Sequence, residues 1–268
     1  MLIAIIILFI LVLLYLFSLH GRIRHPGLRQ LRGWHYAHRG LHGEGRPENS
    51  MAAFRAALEG GFGIELDIHL LSDGELAVIH DSSLLRTAGV DIPIESLTLS
   101  QLADYRLGGT EETIPAFRQV LELFRGKAPL IVELKSANGN HAALCEAACR
   151  MLERYDGPYC VESFDPRCIY WLRKHRPEIV RGQLAENFFR SESKLPFILK
   201  LLMTAHLTNF LTCPDFIAYK FHDRKTLGTF LTRRLWGVQG VSWTIRSKAD
   251  FDTAVKEGWL AIFEGFLP

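Results

Sequence analysis

The chain opens on an unbroken apolar run, Met1–Leu19, and then changes character. From about residue 34 onward, short apolar runs alternate with stretches whose apolar positions recur at helical spacing. The opening run, MLIAIIILFILVLLYLFSL, is followed by its first charge at Arg22. About 18–19 such residues can just span a bilayer as a helix. A basic start and a small-x-small cleavage site, the marks of a signal peptide, are missing. The pattern therefore predicts a transmembrane anchor over residues 1–19, single-pass in the cell membrane. Arg22, Arg24, Arg29 and Arg32 follow it and none precedes it. The positive-inside rule then places the remainder in the cytoplasm. Residues 20–33 read as a basic linker lying on anionic headgroups of the lipid bilayer.

The alternation that follows reads as one α/β domain over residues 34–268. Trp34–Ala37 is a short strand ending in His38-Arg39-Gly40. Asn49 or Ser50 caps a helix over Met51–Leu58, and Gly60-Gly61 ends it. Strands are expected at Phe62–Leu70, Pro129–Leu134, Tyr159–Phe164, Ile179–Leu184, Phe216–Lys220, Val241–Ile245 and Leu260–Phe263. Leu76–Ile79 adds a hairpin strand. Helices fall between them, at Thr113–Arg125, His141–Tyr155, Arg167–His175, Arg224–Leu235 and Lys248–Glu257. About eight strand–helix units of this kind predict a (β/α)8 TIM barrel. The segment Leu195–Leu211 is unusually apolar. It is either a barrel helix packed on the sheet or an amphipathic flap that meets lipid.

Composition narrows the partners. A net charge of +2 leaves no nucleic-acid footprint. The five cysteines are scattered without a CxxC, which suits buried thiols rather than a disulfide framework or a zinc site.

The chemistry gathers at strand ends. Glu65 and Asp67 are two apart in a strand, so their carboxylates share a face. A surface strand with solvated acids would show the same alternation. Here, however, a return strand delivers His80-Asp81 beside them, and other strands end in His38-Arg39, Glu133-Leu134-Lys135, Ser163, Lys220 and Trp243. Barrel sites are assembled at such ends. Three carboxylates on one rim, Glu65, Asp67 and Glu133, repel by about 4 kcal/mol per pair at ~4 Å and an effective dielectric near 20. A divalent cation held by oxygen ligands would neutralise them, and Mg²⁺ or Ca²⁺ suits that donor set. Arg39 and Lys135 offer positive charge to an anion. His38 and His80 can divide proton removal and donation. The combination points to metal-assisted cleavage of a phosphate ester.

At these residues the chain resembles the glycerophosphodiester phosphodiesterase family. The resemblance rests on His38-Arg39-Gly40, Pro47-Glu48-Asn49-Ser50, Glu65-Leu66-Asp67-Ile68, Asp73-Gly74, His80-Asp81, Glu133-Leu134-Lys135, Ser163-Phe164 and Trp243-Thr244-Ile245, and covers residues 35 to 268. It implies a TIM barrel that hydrolyses glycerophosphodiesters to glycerol 3-phosphate and an alcohol. It further implies His38 and His80 as the acid/base pair, Glu65, Asp67 and Glu133 as metal ligands, and Arg39, Lys135 and Trp243 as substrate contacts. Two departures lie near the substrate rim. Arg246 stands where the family often has Asn, and the end of the chain reads AIFEGFLP without the usual Asp. Competing readings are a lysophospholipase D or related phospholipase on the same barrel, with a lysophospholipid substrate, and a membrane-tethered binding protein without turnover.

Overall fold

The computed structural model describes residues 1–22 and 24–268. In chain order the elements are α1 (Leu2–Ser18), α2 (Leu28–Leu31), β1 (Tyr36–His38), α3 (Met51–Glu59), β2 (Gly63–Leu70), β3 (Leu76–Val78), α4 (Leu85–Ala88), α5 (Phe117–Phe124) and β4 (Leu130–Leu134). They continue with α6 (His141–Leu152), β5 (Tyr159–Ser163), α7 (Pro166–His175), β6 (Arg181–Ala185), α8 (Phe197–Thr204), α9 (Asn209–Thr212), β7 (Phe216–Lys220), α10 (Leu227–Trp236), β8 (Gln239–Ile245), α11 (Lys248–Lys256) and β9 (Trp259–Phe263). Eight strands pair in parallel in the order β1-β9-β8-β7-β6-β5-β4-β2, and β1 pairs with β2 to close the barrel. Closure leaves none of the eight parallel strands as a sheet edge. The remaining strand, β3, runs antiparallel to β2 as the expected hairpin.

Local chemistry explains most element ends. Ser50 accepts a hydrogen bond from the Ala53 N–H and caps α3, while Asp165, Thr226 and Ser247 cap α7, α10 and α11 in the same way. The helix expected at Thr113–Arg125 begins only at Phe117. Pro115 biases Ile114 toward extended backbone, and Ile114 is buried in a separate small core with Leu84, Ile94, Leu102 and Leu107. That core belongs to the insert between β3 and α5, which also carries short helical turns at Ile94–Ser96 and Leu99–Asp104. The apolar stretch Leu195–Leu211 divides into α8 and α9, and on α8 only Met203 is buried.

The structure does not show the transmembrane anchor expected over residues 1–19. α1 has 17 residues, about 25 Å at 1.5 Å per residue, against a hydrocarbon layer of about 30 Å. No helix among the described residues is long and apolar enough to cross a membrane. The stretch expected as a linker is held against the barrel instead. Leu28 and Leu31 of α2 are buried with Tyr36, Ile131 and Phe216, and the Tyr36 hydroxyl donates to the Leu31 carbonyl. Arg22 pairs with buried Asp215 at 2.5 Å and donates to the Ile179 carbonyl. Gly21 lies so close to the Pro214 carbonyl that a Cβ would stand 2.5 Å from its oxygen.

Candidate active site

Parallel register brings the polar strand ends level. His38 on β1 is opposite Glu65 on β2, and Asp67 on β2 is opposite Glu133 on β4, which is opposite Glu162 on β5. The side chains converge because alternate residues of each strand face the barrel interior.

The turn after β1 is unusual backbone. Arg39 and Gly40 both have positive φ, and a Cβ on Gly40 would lie 2.9 Å from Ala53 of α3. The chain can therefore reverse tightly against α3. This aims the Arg39 N–H at Glu65 Oε2, 3.2 Å away, and its guanidinium at Glu48 (2.8 Å) and Asp67 (3.4 Å). Asn49, also at positive φ, donates through Nδ2 to Asp67 Oδ2 at 2.8 Å.

His38 Nδ1 lies 2.5 Å from Glu264 Oε2, just beyond the end of β9, and its Nε2 lies 3.8 Å from Glu65. Burial lowers the His38 pKa, while the Glu264 carboxylate opposes that shift. Glu264 also accepts from Arg246 at 3.0 Å. The two departures from the family pattern thus meet as an ion pair behind His38. His42 joins them, with Nε2 3.8 Å from Glu264 Oε2.

One oxygen from each of Glu65, Asp67 and Glu133 lies within 4.8 Å of the others, and all three residues are buried. Lys135 Nζ sits 3.0 Å from Asp67 and 2.7 Å from Glu133. Burial, reinforced by Asp67 and Glu133, pushes Glu65 well above the carboxylate range. Burial likewise raises Glu133 to about 7, although Lys135 pulls it down. Asp67 moves the opposite way: burial would raise it, but Lys135, His80 and Arg39 together hold it low. Asp67 Oδ1 accepts no well-aligned hydrogen bond, despite Lys135 nearby. An all-oxygen set with excess negative charge and a lone pair left open fits a hard divalent cation. Glu162, which sequence reasoning passed over, adds a fourth buried carboxylate whose Oε2 has no partner. Its own signal was weak, since Glu162 sits inside an otherwise apolar strand next to Ser163.

His80 stands across the cleft. Its Nδ1 lies 2.5 Å from Asp81, whose other oxygen accepts from Arg86, and Arg86 also reaches Glu48 at 2.7 Å. The His80 carbonyl accepts from His69 Nε2 at 3.1 Å, and His69 Nδ1 lies 2.7 Å from Glu95 of the insert. Burial, then Lys135, lowers the His80 pKa to about 4.

His38, Arg39, Glu65, His80, Glu133, Lys135 and Glu162 line one narrow cleft, closed on the far side by Phe164, Leu184 and Trp243. The Trp243 ring meets Phe164 edge-on at 5.6 Å. All the predicted site residues except Asp67 reach this cleft surface, and Asp67 lies just behind it. Ser163 and Lys220 do not join them. Ser163 donates to the Leu134 carbonyl, and Lys220 pairs with Glu186 at 3.1 Å. A larger hollow between α5 and α6, rich in arginine, shares none of these residues.

Comparison with known sequences decides among families. The model of the glycerophosphoryl diester phosphodiesterase family matches residues 38–264. The chain belongs to this family. A glycerophosphodiester phosphodiesterase of Bacillus altitudinis is 35% identical over 155 residues, which is 54% of this chain and 63% of the relative. One from Caldanaerobacter subterraneus subsp. tengcongensis is 28% identical over 83% of this chain and 89% of its own length. A rat protein named lysophospholipase D is 31% identical over 45% of this chain, which spans 41% of that protein. An Oleispira antarctica phosphodiesterase, solved with sn-glycerol-3-phosphate, superposes with a TM-score of 0.71 at 23% identity, over 86% of this chain and 92% of that one. The shared fold is the TIM barrel.

Proposed function

We propose that this family member hydrolyses glycerophosphodiesters to glycerol 3-phosphate and an alcohol. The observation that carries the reading is the meeting of His38 and His80 in one cleft with Glu65, Glu133, Arg39 and Lys135. Glu65, Asp67 and Glu133 would hold one divalent cation, Mg²⁺ or Ca²⁺, which supplies charge neutralisation and polarises a phosphoryl oxygen. Arg39 and Lys135 bind the phosphate. Each keeps a hydrogen-bonded carboxylate partner that fixes its position, which orients the diester before reaction.

The histidines carry the proton transfers. Each has Nδ1 against a carboxylate, Glu264 for His38 and Asp81 for His80. With Nδ1 thus occupied, Nε2 is the atom left to meet substrate. One imidazole takes the proton of the attacking hydroxyl and the other protonates the departing alkoxide; attack by water gives glycerol 3-phosphate directly, and attack by the neighbouring glycerol hydroxyl gives a cyclic phosphate that water then opens. Trp243 and Phe164 wall the side where the alcohol leaves.

The test is release of glycerol 3-phosphate from glycerophosphocholine and glycerophosphoethanolamine, with Mg²⁺, with Ca²⁺ and with EDTA, beside His38→Ala. Metal-dependent turnover absent from the variant supports the proposal. Turnover that persists in both EDTA and the variant overturns it.

A second reading, lysophospholipase D, draws on the exposed aromatic side chain of Phe189 in the loop after β6, near the apolar wall. Product release from a lysophospholipid with no turnover of either soluble diester would favour it.

A further inference from the structure

We infer that α1 and the α8–α10 side of the barrel form a docking face for a phospholipid surface. Residues Met1–Leu14 of α1 are exposed and apolar on every side of the helix. A helix apolar all round needs apolar surroundings all round. A second copy of the chain would cover one stripe and leave the rest in water, whereas a hydrocarbon layer covers the whole cylinder.

α1 is not detached from the body. Its last turn is rooted on α10, where Trp236 Nε1 donates to the Leu16 carbonyl at 3.0 Å and Leu19 is fully buried. The Tyr15 hydroxyl lies beside Gly228, close to His206 of the α8–α9 turn. The helices around this root expose large apolar side chains: Phe197, Ile198 and Leu199 on α8, Phe210 on α9, and Phe230 and Leu235 on α10. Apolar surface of this extent on one side marks an interaction face. Its charge complements anionic headgroups. Residues 187–237 hold eight Lys or Arg against three Asp or Glu; Lys220, Arg224 and Arg190 are paired with Glu186, Glu257 and Asp223, which leaves Lys194, Lys200, Lys225, Arg233 and Arg234 as the basic residues of this stretch without an acidic partner within 4 Å among the described residues. Basic residues of this kind each add about 1 kcal/mol near an anionic leaflet.

The face also borders the mouth. The loop after β6 leaves the C-terminal end of the barrel and leads into α8. Within it, Phe188 meets Phe164 of the cleft wall at 6.1 Å, and Phe189 meets Phe197 of the outer face at 5.5 Å. Docking on this side therefore holds the cleft at the edge of a lipid surface. The inference concerns binding and stands apart from the proposed reaction.

The experiment uses the full chain. Flotation with vesicles of phosphatidylcholine, and of phosphatidylcholine mixed with phosphatidylglycerol, measures partition directly. Phe197→Ser/Ile198→Ser/Leu199→Ser keeps α1 and removes the apolar start of α8. It should weaken partition by about tenfold, with stronger binding to the mixed vesicles throughout. Turnover of soluble glycerophosphocholine should stay within about twofold of the parent. A single Phe197→Trp variant covers the case in which the triple variant packs badly. Its added fluorescence, with the parent spectrum subtracted, should be quenched by brominated acyl chains. Unchanged flotation of the triple variant together with no quenching at Phe197→Trp would overturn the inference. So would a vesicle-free dimer that the triple variant dissolves.

Discussion

The two halves of the barrel carry opposite chemistry. β1, β2, β4 and β5 bring His38, Glu65, Asp67, Glu133 and Glu162 to one rim, each within reach of another charge. β6 and β8 bring Leu184 and Trp243 to the same cleft, and the helices after β6 and β7 expose Phe197, Phe210 and Phe230. One half is over-supplied with charge and organised by hydrogen bonds. The other is organised by packing. The same fold thus sets a charged rim opposite an apolar wall around one cleft. A change on the charged half should alter turnover, and a change on the apolar half should alter binding and stability.

The largest expected effects fall on the charged half. His38→Ala and His80→Ala should each lower turnover of glycerophosphocholine by about 10²–10⁴, read as initial rates at saturating diester. Near-parental rates for either would break the division. Next in size is a stability effect on the apolar half. Burial holds His206 neutral, with its pKa lowered to about 4, and Nε2 pairs with Thr229 at 2.9 Å. A histidine with a depressed folded pKa contributes stability that is complete above its unfolded value near 6.5 and is lost as pH falls toward 4. The loss is about 3 kcal/mol. His206→Gln should flatten denaturation midpoints across that window, while an unchanged slope would place the acid sensitivity elsewhere.

Glu264→Gln comes third. Removing a carboxylate that orients a histidine typically costs 10–100-fold, so kcat should fall while KM for the diester holds. Because Glu264 raises the His38 pKa, its loss should also move the acid limb of the rate profile to lower pH. A fall in rate with an unmoved limb would reduce Glu264 to packing. The smallest effect is that of Trp243→Ala, which should raise KM several-fold through lost contact area with little change in kcat. A kcat collapse there would put reacting atoms on the apolar half and blur the comparison.

Much of this was legible in the chain. The strand-end residues could be read because period-two strands set Glu65 beside Asp67, and because each motif fell at its own predicted strand end. The hairpin was readable from turn chemistry, and capping chemistry narrowed the start of α3 to Asn49 or Ser50, of which Ser50 is the cap. Register across strands was not, so Glu162 went unnoticed: its neighbours Glu133 and Asp67 become visible only when β5 lies beside β4. The Arg246–Glu264 pair was invisible for the same reason. Each residue looked like a departure, and their meeting depends on β8 and β9 lying side by side. The apolar run at residues 1–19 was readable as a helix, whereas the seating of its last turn on α10 through Trp236 was not.

The insert between β3 and α5 has its own small apolar core, yet it supplies Arg86 and Glu95, which hold Asp81 and His69 and through them His80. Half of the histidine pair is therefore aligned by a segment that the closed barrel does not need in order to stay closed. In rising denaturant the insert can open first, with the parallel sheet intact. Catalysis should then disappear at a lower denaturant concentration than the far-ultraviolet signal, leaving a folded but silent enzyme between the two transitions.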